Sequence, residues 1–382
     1  VYILGISISF SYVMNWLSLI SLTVEVERRT KRVRVGDDID ERITIRNLSK
    51  LPKPVIQVED LTNLPGYFNG MALTLTSNEF RSWRTKAPAR KRGVYIMGPV
   101  RVSSTDSLGL FRRERTFCET SNLIVYPRTY SLPKFRIHHS ELSGESSARK
   151  RSYNLTPHVS TVRNYTIGDS ITRIHWNSTA RTGKLMSKEF DNGLSSDVWI
   201  LVDLHKDIQA GHLEESTDEY SVSIGASLAK KYLEAELPVG LISYGDQRYH
   251  LPAETGHGQF NRTMEVLAMS KATGAFPLDS VLIKEDPLWS YHSSLVIITP
   301  SHRVDWITPL NELIRRRVRV AVVLLDGPSF GGALKTLDTV PMLSTSGISP
   351  YVVKKGDDIS TALSYTATDL DMMYPQKPGT RQ

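Results

Sequence analysis

The stretch VWILVDL, residues 198–204, decides the fold. Its first five residues are an unbroken apolar run, and Asp203 follows directly. Continuous Val, Ile and Leu is typical of a strand buried on both faces, as in a parallel sheet covered by helices. Similar runs follow, and windows with helical spacing lie between them: VGLISYG (239–245), SLVIITP (294–300) and VRVAVVLLD (318–326) are the strands. This alternation predicts a doubly wound α/β domain over residues 195–370.

Before this domain the pattern changes to short runs in which apolar and polar residues alternate. ERITIRNLSK (41–50) is one example, and Gly and Pro residues separate the runs. Alternation with period two is typical of antiparallel strands that have one solvated face. We therefore predict a β-sandwich-like domain over residues 24–127, a linker with a motif-rich segment over 128–194, and a disordered tail over 371–382.

The first 23 residues carry no charge, and about 20 apolar residues in a helix are enough to cross a bilayer. We predict a transmembrane segment over residues 1–23, truncated because the sequence begins with Val rather than Met. A cleaved signal peptide and a buried β-rich start are the alternatives. A signal peptide would need a basic region before the apolar stretch and a small-residue cleavage site after it, and neither is present.

A basic cluster follows this segment and predicts its orientation: Arg28, Arg29, Lys31, Arg32 and Arg34. Short basic flanks stay on the cytoplasmic side of a membrane, so we expect the globular domains in the cytoplasm. The net charge of +7 is concentrated in the first half of the chain, where it favours contact with anionic lipid or a solvated β surface over nucleic acid. The single cysteine, Cys118, excludes an internal disulfide.

Residues 162–191, VRNYTIGDSITRIHWNSTARTGKLMSKEFD, are dense in chemically active side chains. This segment resembles domain-of-unknown-function family 58, whose hallmark is Arg-x-Tyr-x-x-Gly-Asp-x-x-Arg-x-Ile-x-Trp followed by Ala-Arg, Leu and an acidic residue. The matching positions are Arg163, Tyr165, Gly168, Asp169, Arg173, Ile174, Trp176, Ala180, Arg181, Leu185 and Glu189.

The resemblance implies an architecture and a set of partners. It implies an N-terminal transmembrane hairpin, a β-domain and a von Willebrand factor A-like α/β domain. It also implies a genomic setting beside MoxR-type AAA+ ATPases and transglutaminase-like membrane proteins. We therefore expect a MoxR-type ATPase, other membrane proteins of the same operon and membrane lipid as partners.

Three interpretations of the hallmark segment stay open. Its arginines can pair with Asp169, Glu189 or Asp191 in a buried clasp, with Trp176 as an apolar plug. Alternatively, the arginines form a site for an anion or partner peptide, assisted by Tyr165 and His175. Catalysis by His175 with Asp169 is the third interpretation, but no nucleophile motif accompanies this pair.

The sequence predicts no working metal site and no cofactor. Cation-binding von Willebrand factor A domains carry Asp-x-Ser-x-Ser after their first strand, and here Asp203 is followed by His205 and Asp207 instead of the two serines. The later loop brings Thr299 without an adjoining aspartate. A degenerate site at Asp203, His205 and Asp207 for a softer ion such as Zn²⁺ is the alternative.

These observations favour a membrane-anchored, cytosol-facing adaptor or scaffold over an enzyme. Nucleotide-binding and metalloprotease motifs are absent from the sequence. The alternatives are a metal-dependent binding protein or enzyme at the degenerate site, and a cell-surface adhesion protein with the opposite topology.

Overall fold

The computed structural model describes residues 2–106, 109–137, 159–164, 176–190, 197–291, 293–333 and 335–369, without the side chains of 159–164 and 187–190. Contacts divide the chain into two compact units. The first unit comprises Val1–Tyr130, Ala210–Ser227 and Asn261–Ala272. The second comprises Ser131–Gln209, Leu228–Phe260 and Thr273–Gln382.

The elements up to residue 130 are one helix followed by strands: α1 (Tyr2–Ser18), β1 (Leu22–Arg28), β2 (Arg32–Arg34), β3 (Asp38–Asn47), β4 (Lys53–Asp60), β5 (Gly70–Leu75), β6 (Phe80–Pro88), β7 (Gly93–Met97), β8 (Val100–Thr105), β9 (Arg112–Phe117) and β10 (Ser121–Tyr126). They form sheets in the orders β1-β3-β6, β5-β4-β8-β9 and β2-β10-β7. Side chains of the first two sheets share one core, which includes Ile43, Ile56 and Val100. Burial alternates along β3, as the period-two pattern predicts.

Helix α1 corrects the predicted fold class. It is 17 residues long, and no helix among the described residues is long and apolar enough to cross a membrane. Four serines and an asparagine lower the hydropathy of α1, and the chain then turns into β1, with Leu19 and Leu22 already buried in the β core. The predicted transmembrane segment over residues 1–23 is therefore wrong. The described residues form a mixed α/β protein.

The elements from residue 159 onward alternate between strands and helices: β11 (Val159–Asn164), α2 (Trp176–Thr182), β12 (Met186–Phe190), β13 (Val198–Asp203), β14 (Gly211–His212), β15 (Glu215–Ser216), α3 (Thr217–Glu234), β16 (Val239–Tyr244), β17 (Arg248–Glu254), α4 (Gly256–Met269), α5 (Leu278–Glu285), β18 (Ser294–Thr299), α6 (Ile307–Arg315), β19 (Arg319–Leu325), α7 (Val340–Thr345), β20 (Tyr351–Val353) and α8 (Ile359–Ala362). Strands β11 and β12 form an antiparallel pair.

The largest sheet has the order β17-β16-β13-β18-β19-β20. Strands β16, β13, β18, β19 and β20 are parallel, whereas β17 pairs with β16 in the antiparallel sense. Every residue of β13, β16 and β18 is buried, which agrees with the continuous apolar runs in the sequence. Residues of α5 and α6 pack against this sheet in one cluster that includes Trp289 and Trp306.

Candidate functional site

The strand order places a topological switch point between β13 and β18. From β13 the chain continues to β16 on one side and later returns to β18 on the other side. In open α/β sheets, ligands bind outside the carboxyl ends of the strands at such a point. Here β13 ends at Asp203 and β18 ends at Thr299. Each of these strands thus ends in a polar side chain at this edge.

Asp203 and Thr299 are joined by a buried hydrogen bond. The hydroxyl of Thr299 donates to Oδ2 of Asp203 at 2.7 Å, and the backbone N–H of His205 donates to Oδ1 at 3.2 Å. The N–H of Ser301 donates in turn to the Thr299 hydroxyl at 2.9 Å. Desolvation raises the pKa of Asp203, although these hydrogen bonds act against it. Both carboxyl oxygens are therefore already engaged by the chain itself.

The space beside this pair is small. A cavity of about 10 Å³ is lined by residues that include Asp203, His205, Asp279, Ser301, Arg303 and Trp306. Such a volume holds at most one water molecule, whereas pockets for organic ligands measure several hundred Å³. Among the described residues, the space beside Asp203 and Thr299 is thus reduced to about the size of one water molecule.

The degenerate metal site of the sequence is not assembled as a ligand cluster. Nε2 of the buried His205 lies 3.8 Å from Oδ2 of Asp207, whose side chain is 70% exposed. Asp203 directs its oxygens to Thr299 and to backbone instead. Within the described ranges, no group of three or more His, Cys, Asp or Glu residues could hold a metal ion.

A surface with exposed apolar side chains surrounds the filled crevice. Phe276 is 50% exposed and Val304 is 40% exposed, and their neighbours Pro277 and Arg303 line the same small cavity. Lys206 and Arg303 are exposed beside them. We refer to Lys206, Phe276, Arg303 and Val304 as the carboxyl-edge surface.

Backbone contacts fix the loop that carries Phe276. The N–H of Gly274 donates to the carbonyl of Leu204 at 3.0 Å, and the N–H of Lys206 donates to the carbonyl of Gly274 at 2.9 Å. The Phe276 ring contacts Tyr244 edge-on, with centroids 5.6 Å apart. The ammonium of Lys284 lies 5.2 Å from the Phe276 centroid. Phe276 is thus held in place although half of it is exposed.

Sequence reasoning missed an ion pair between Arg248 and the buried Glu285, near the Phe276 ring. Glu285 is buried, and its carboxylate accepts two hydrogen bonds from Arg248, at 2.7 and 2.8 Å, and another from the hydroxyl of Tyr244. Burial acts to raise the pKa of Glu285, but the hydrogen bonds from Arg248 and Tyr244 hold it below its usual value. The same environment raises the pKa of Tyr244 to about 12. No spacing in the sequence links β17 to the end of α5, so this cluster had no sequence signal.

Several residues of the hallmark segment lie outside the described residues, namely Tyr165, Gly168, Asp169, Arg173, Ile174 and His175. Arg163 lies in β11 opposite Ser187, and Glu189 lies in β12 opposite Thr161, with side chains that are not described.

Trp176 begins α2 and is 62% exposed, and its role as an apolar plug in the clasp interpretation stays a prediction. Arg181, in the last turn of α2, is exposed as well. The roles predicted for the hallmark arginines stay predictions.

The fold and site define a mixed α/β protein whose switch point is closed by its own side chains. Residues 161–327 match the model of a family described as "Protein of unknown function DUF58", which confirms the resemblance over that range. A relative in Bacillus subtilis (strain 168), "Uncharacterized protein YeaD", is 28% identical over 190 residues, which are 49% of this chain and 45% of the relative. The chain therefore spans less than half the length of that relative.

Similarities to solved structures are weak. The CARDB domain of the PF1109 protein from Pyrococcus furiosus, solved in complex with di-metal ions, is 17% identical with a TM-score of 0.21, covering 27% of this chain and 91% of that one. The β-glucosidase from Listeria innocua is 14% identical with a TM-score of 0.19, covering 27% and 16%. Scores this low do not establish a shared fold. The von Willebrand factor A type predicted from the sequence is therefore not confirmed.

Proposed function

We propose that this chain is a protein-binding scaffold and that the carboxyl-edge surface carries its partner contacts. The observation that supports this most is the closed crevice at the switch point. Ligands enter open α/β sheets at this position, but Asp203 and Thr299 fill it and leave about 10 Å³. Recognition at this edge then has to use the outer surface, which suits another protein better than a small molecule.

The composition of this surface supports the proposal. Exposed aromatic and arginine side chains dominate the energetics of protein interfaces, and surrounding polar residues exclude water. Phe276 supplies a fixed aromatic ring, and Arg303 supplies a forked donor whose guanidinium pairs with Asp305 at 2.9 Å. Because contacts with Tyr244 and Lys284 hold the Phe276 ring, little side-chain entropy is lost when a partner covers it.

The family resemblance suggests which partner to test first. It implies a MoxR-type AAA+ ATPase, so we propose such an ATPase from the same genome as the first candidate. The transglutaminase-like membrane proteins, membrane lipid and cytoplasmic placement predicted from the sequence stay predictions.

A direct binding measurement tests the proposal. The full chain is titrated with the ATPase by calorimetry, first as wild type and then as Phe276→Ala. We expect the substitution to weaken binding at least about 30-fold, since a central interface aromatic contributes about 2 kcal/mol or more. Its melting temperature should stay near that of the wild type, because Phe276 is half exposed.

Met342→Ala is the matched control. Met342 is also 50% exposed, lies on α7 and is not part of the carboxyl-edge surface. Equal weakening by both variants, or unchanged binding by folded Phe276→Ala, would show that this surface does not carry the contact.

A further inference from the structure

Helix α1 packs with the polarity opposite to that of an ordinary surface helix. Its buried residues are Ser11, Asn15 and Ser18, which share one face because they are spaced by four and three positions. Its large apolar residues, such as Ile6 and Phe10, are exposed. A helix on a soluble domain normally buries its apolar stripe and exposes its polar one.

A cavity of about 370 Å³ lies along the buried polar face of α1. We call it the α1 pocket, and its lining includes Phe10, Met14, Asn15, Lys53, Val55 and Asp106. This volume falls within the range of pockets that bind small molecules. All of its lining residues belong to the first unit.

The polar and apolar residues of the α1 pocket differ in exposure. Lys53 is 1% exposed and Asn15 is buried, whereas Phe10, Met14 and Val55 are all exposed. Lys53 and Asn15 thus lie at the enclosed end, and Phe10, Met14 and Val55 lie at the open end. A molecule with a polar head and an apolar tail matches this order if its head enters first.

The buried polar groups have unused hydrogen-bonding capacity. Nζ of Lys53 donates to the carbonyl of Leu17 at 2.5 Å, and an ammonium carries three donors. Oδ1 of Asn15 is buried and accepts no hydrogen bond from the described residues. Burial of a charge or an amide without partners costs free energy. Rotation of the Asn15 amide by half a turn exchanges its oxygen and its NH₂ group, so that an anion accepts hydrogen bonds from both Lys53 and Asn15.

Other polar groups of the pocket are already occupied. Asp106 accepts from the hydroxyl of Ser11 and from the N–H of Phe111, and the hydroxyl of Ser18 donates to the carbonyl of Asn15. Burial also lowers the pKa of Lys53, which a bound anion would oppose. The ammonium of Lys53 is therefore the cation on which a ligand can be recognised here.

We propose that the α1 pocket binds an amphiphilic carboxylate of fatty-acid type. Its carboxylate accepts hydrogen bonds from Nζ of Lys53 and from the NH₂ group of Asn15. The side-chain amide of Asn15 rotates by half a turn to point its NH₂ group at the carboxylate. Its alkyl chain covers Phe10, Met14 and Val55 and removes their apolar surface from water. This binding site is independent of the carboxyl-edge surface.

Calorimetry on the full chain with sodium decanoate, kept below its micelle concentration, tests the proposal. We expect binding of one decanoate per chain, and at least tenfold weaker binding of the neutral decan-1-ol. Lys53→Met keeps the length of the side chain and removes its charge, so it should weaken decanoate binding at least tenfold. Lys50→Met is the matched control, because Lys50 is exposed three residues earlier, and its affinity should match that of the wild type.

Three outcomes would overturn the proposal. The first is no decanoate binding, or binding only to decanoate-containing vesicles. The second is equal affinity for decan-1-ol, which would mean that the pocket recognises the alkyl chain alone. The third is unchanged affinity in Lys53→Met. If Lys53→Met melts far below the wild type, Asn15→Leu replaces it and should weaken decanoate binding at least threefold while decan-1-ol affinity is retained.

Discussion

At Asp203, burial and hydrogen bonding act in opposite directions on one carboxyl group. Desolvation raises its pKa, and the hydrogen bonds from Thr299 and His205 lower it, with desolvation the larger effect. The folded protein therefore holds this proton more firmly than the unfolded chain does. The contribution of Asp203 to the free energy of unfolding is fully present below the pKa that this carboxyl group has in the unfolded chain. It is lost as the pH rises through the higher pKa of the folded protein.

Thr299→Val should destabilise the protein by about 1–3 kcal/mol. The substitution keeps the side-chain shape but leaves Oδ2 of Asp203 buried without a donor, which costs an amount of that order. Because the lost bond lowered the pKa of Asp203, that pKa rises further in the variant, and the destabilisation should be larger at pH 8 than at pH 5. Urea unfolding at both pH values measures it.

Thr308→Val is the control for this prediction. Thr308 is exposed on α6, so the same change of side chain should alter the free energy of unfolding by no more than about 0.5 kcal/mol. Equal stability of Thr299→Val and the wild type at pH 8 would mean that the hydrogen bond to Asp203 contributes nothing.

Sequence could identify some residues of this site but not their partners. Asp203 stands out because it ends a continuous apolar strand, and Thr299 ends another in the same way. Their contact joins positions 96 residues apart, and only the strand order brings them together. Lys53 gives no such signal, since a lysine before a proline in a turn-rich stretch usually lies in solvent, yet here it is 1% exposed.

Among the elements, those with apolar periodicity were predicted and those without it were missed. Strand β3 follows an alternating run and strands β13, β16, β18 and β19 follow continuous apolar runs, and the structure confirms these five strands. Strands β6 and β9 were missed because most of their residues are exposed and their sequences, FRSWRTKAP and RRERTF, carry no clear apolar alternation. Edge strand β17 was missed because none of its residues is fully buried.

Gly274→Ala should destabilise the second unit by about 1–3 kcal/mol. A Cβ at this position would lie 2.2 Å from the carbonyl oxygen of Tyr244 and 3.0 Å from that of Leu204, so backbone has to move. The loop that presents Phe276 would shift with it. Chemical denaturation measures the loss, and ATPase affinity should fall in parallel if the carboxyl-edge surface is the binding site.

Gly258→Ala provides the contrasting glycine. It lies in α4, where an added Cβ meets nothing within 4 Å, and Ala favours helix over Gly by up to about 1 kcal/mol. This variant should be as stable as the wild type or slightly more stable. If Gly274→Ala behaves like Gly258→Ala, the close backbone approach does not constrain the loop.

At the scale of the whole molecule, contacts between segments that are distant in the sequence define the two compact units. Ala210–Ser227 and Asn261–Ala272 belong to the first unit together with Val1–Tyr130. Arg92 contacts Glu219 in the first of these segments and Leu267 in the second, and its side chain is only 4% exposed. A single arginine in a basic loop, RKR at 90–92, gives no sign in sequence that it is buried.

Arg92→Met should destabilise the first unit by about 3–5 kcal/mol. Nη1 of Arg92 lies 2.6 Å from a carboxylate oxygen of Glu219, and the guanidinium also donates to the carbonyls of Leu267 and Ser270 at 3.2 and 3.1 Å. Glu219 is buried, and although desolvation raises its pKa, Arg92 acts against that rise. Removal of one member of a buried ion pair leaves the other uncompensated, which costs several kcal/mol.

Because the cost arises from the unpaired carboxylate, a second substitution should recover part of it. Glu219→Leu in the Arg92→Met background removes that carboxylate, so the double variant should be more stable than Arg92→Met alone. Arg90→Met, at an exposed arginine two residues earlier, should leave the free energy of unfolding within about 0.5 kcal/mol of the wild type. Urea unfolding of the wild type, Arg92→Met, Glu219→Leu and the double variant measures the coupling, with Arg90→Met as the control. If the two losses simply add in the double variant, Arg92 does not stabilise this unit through Glu219.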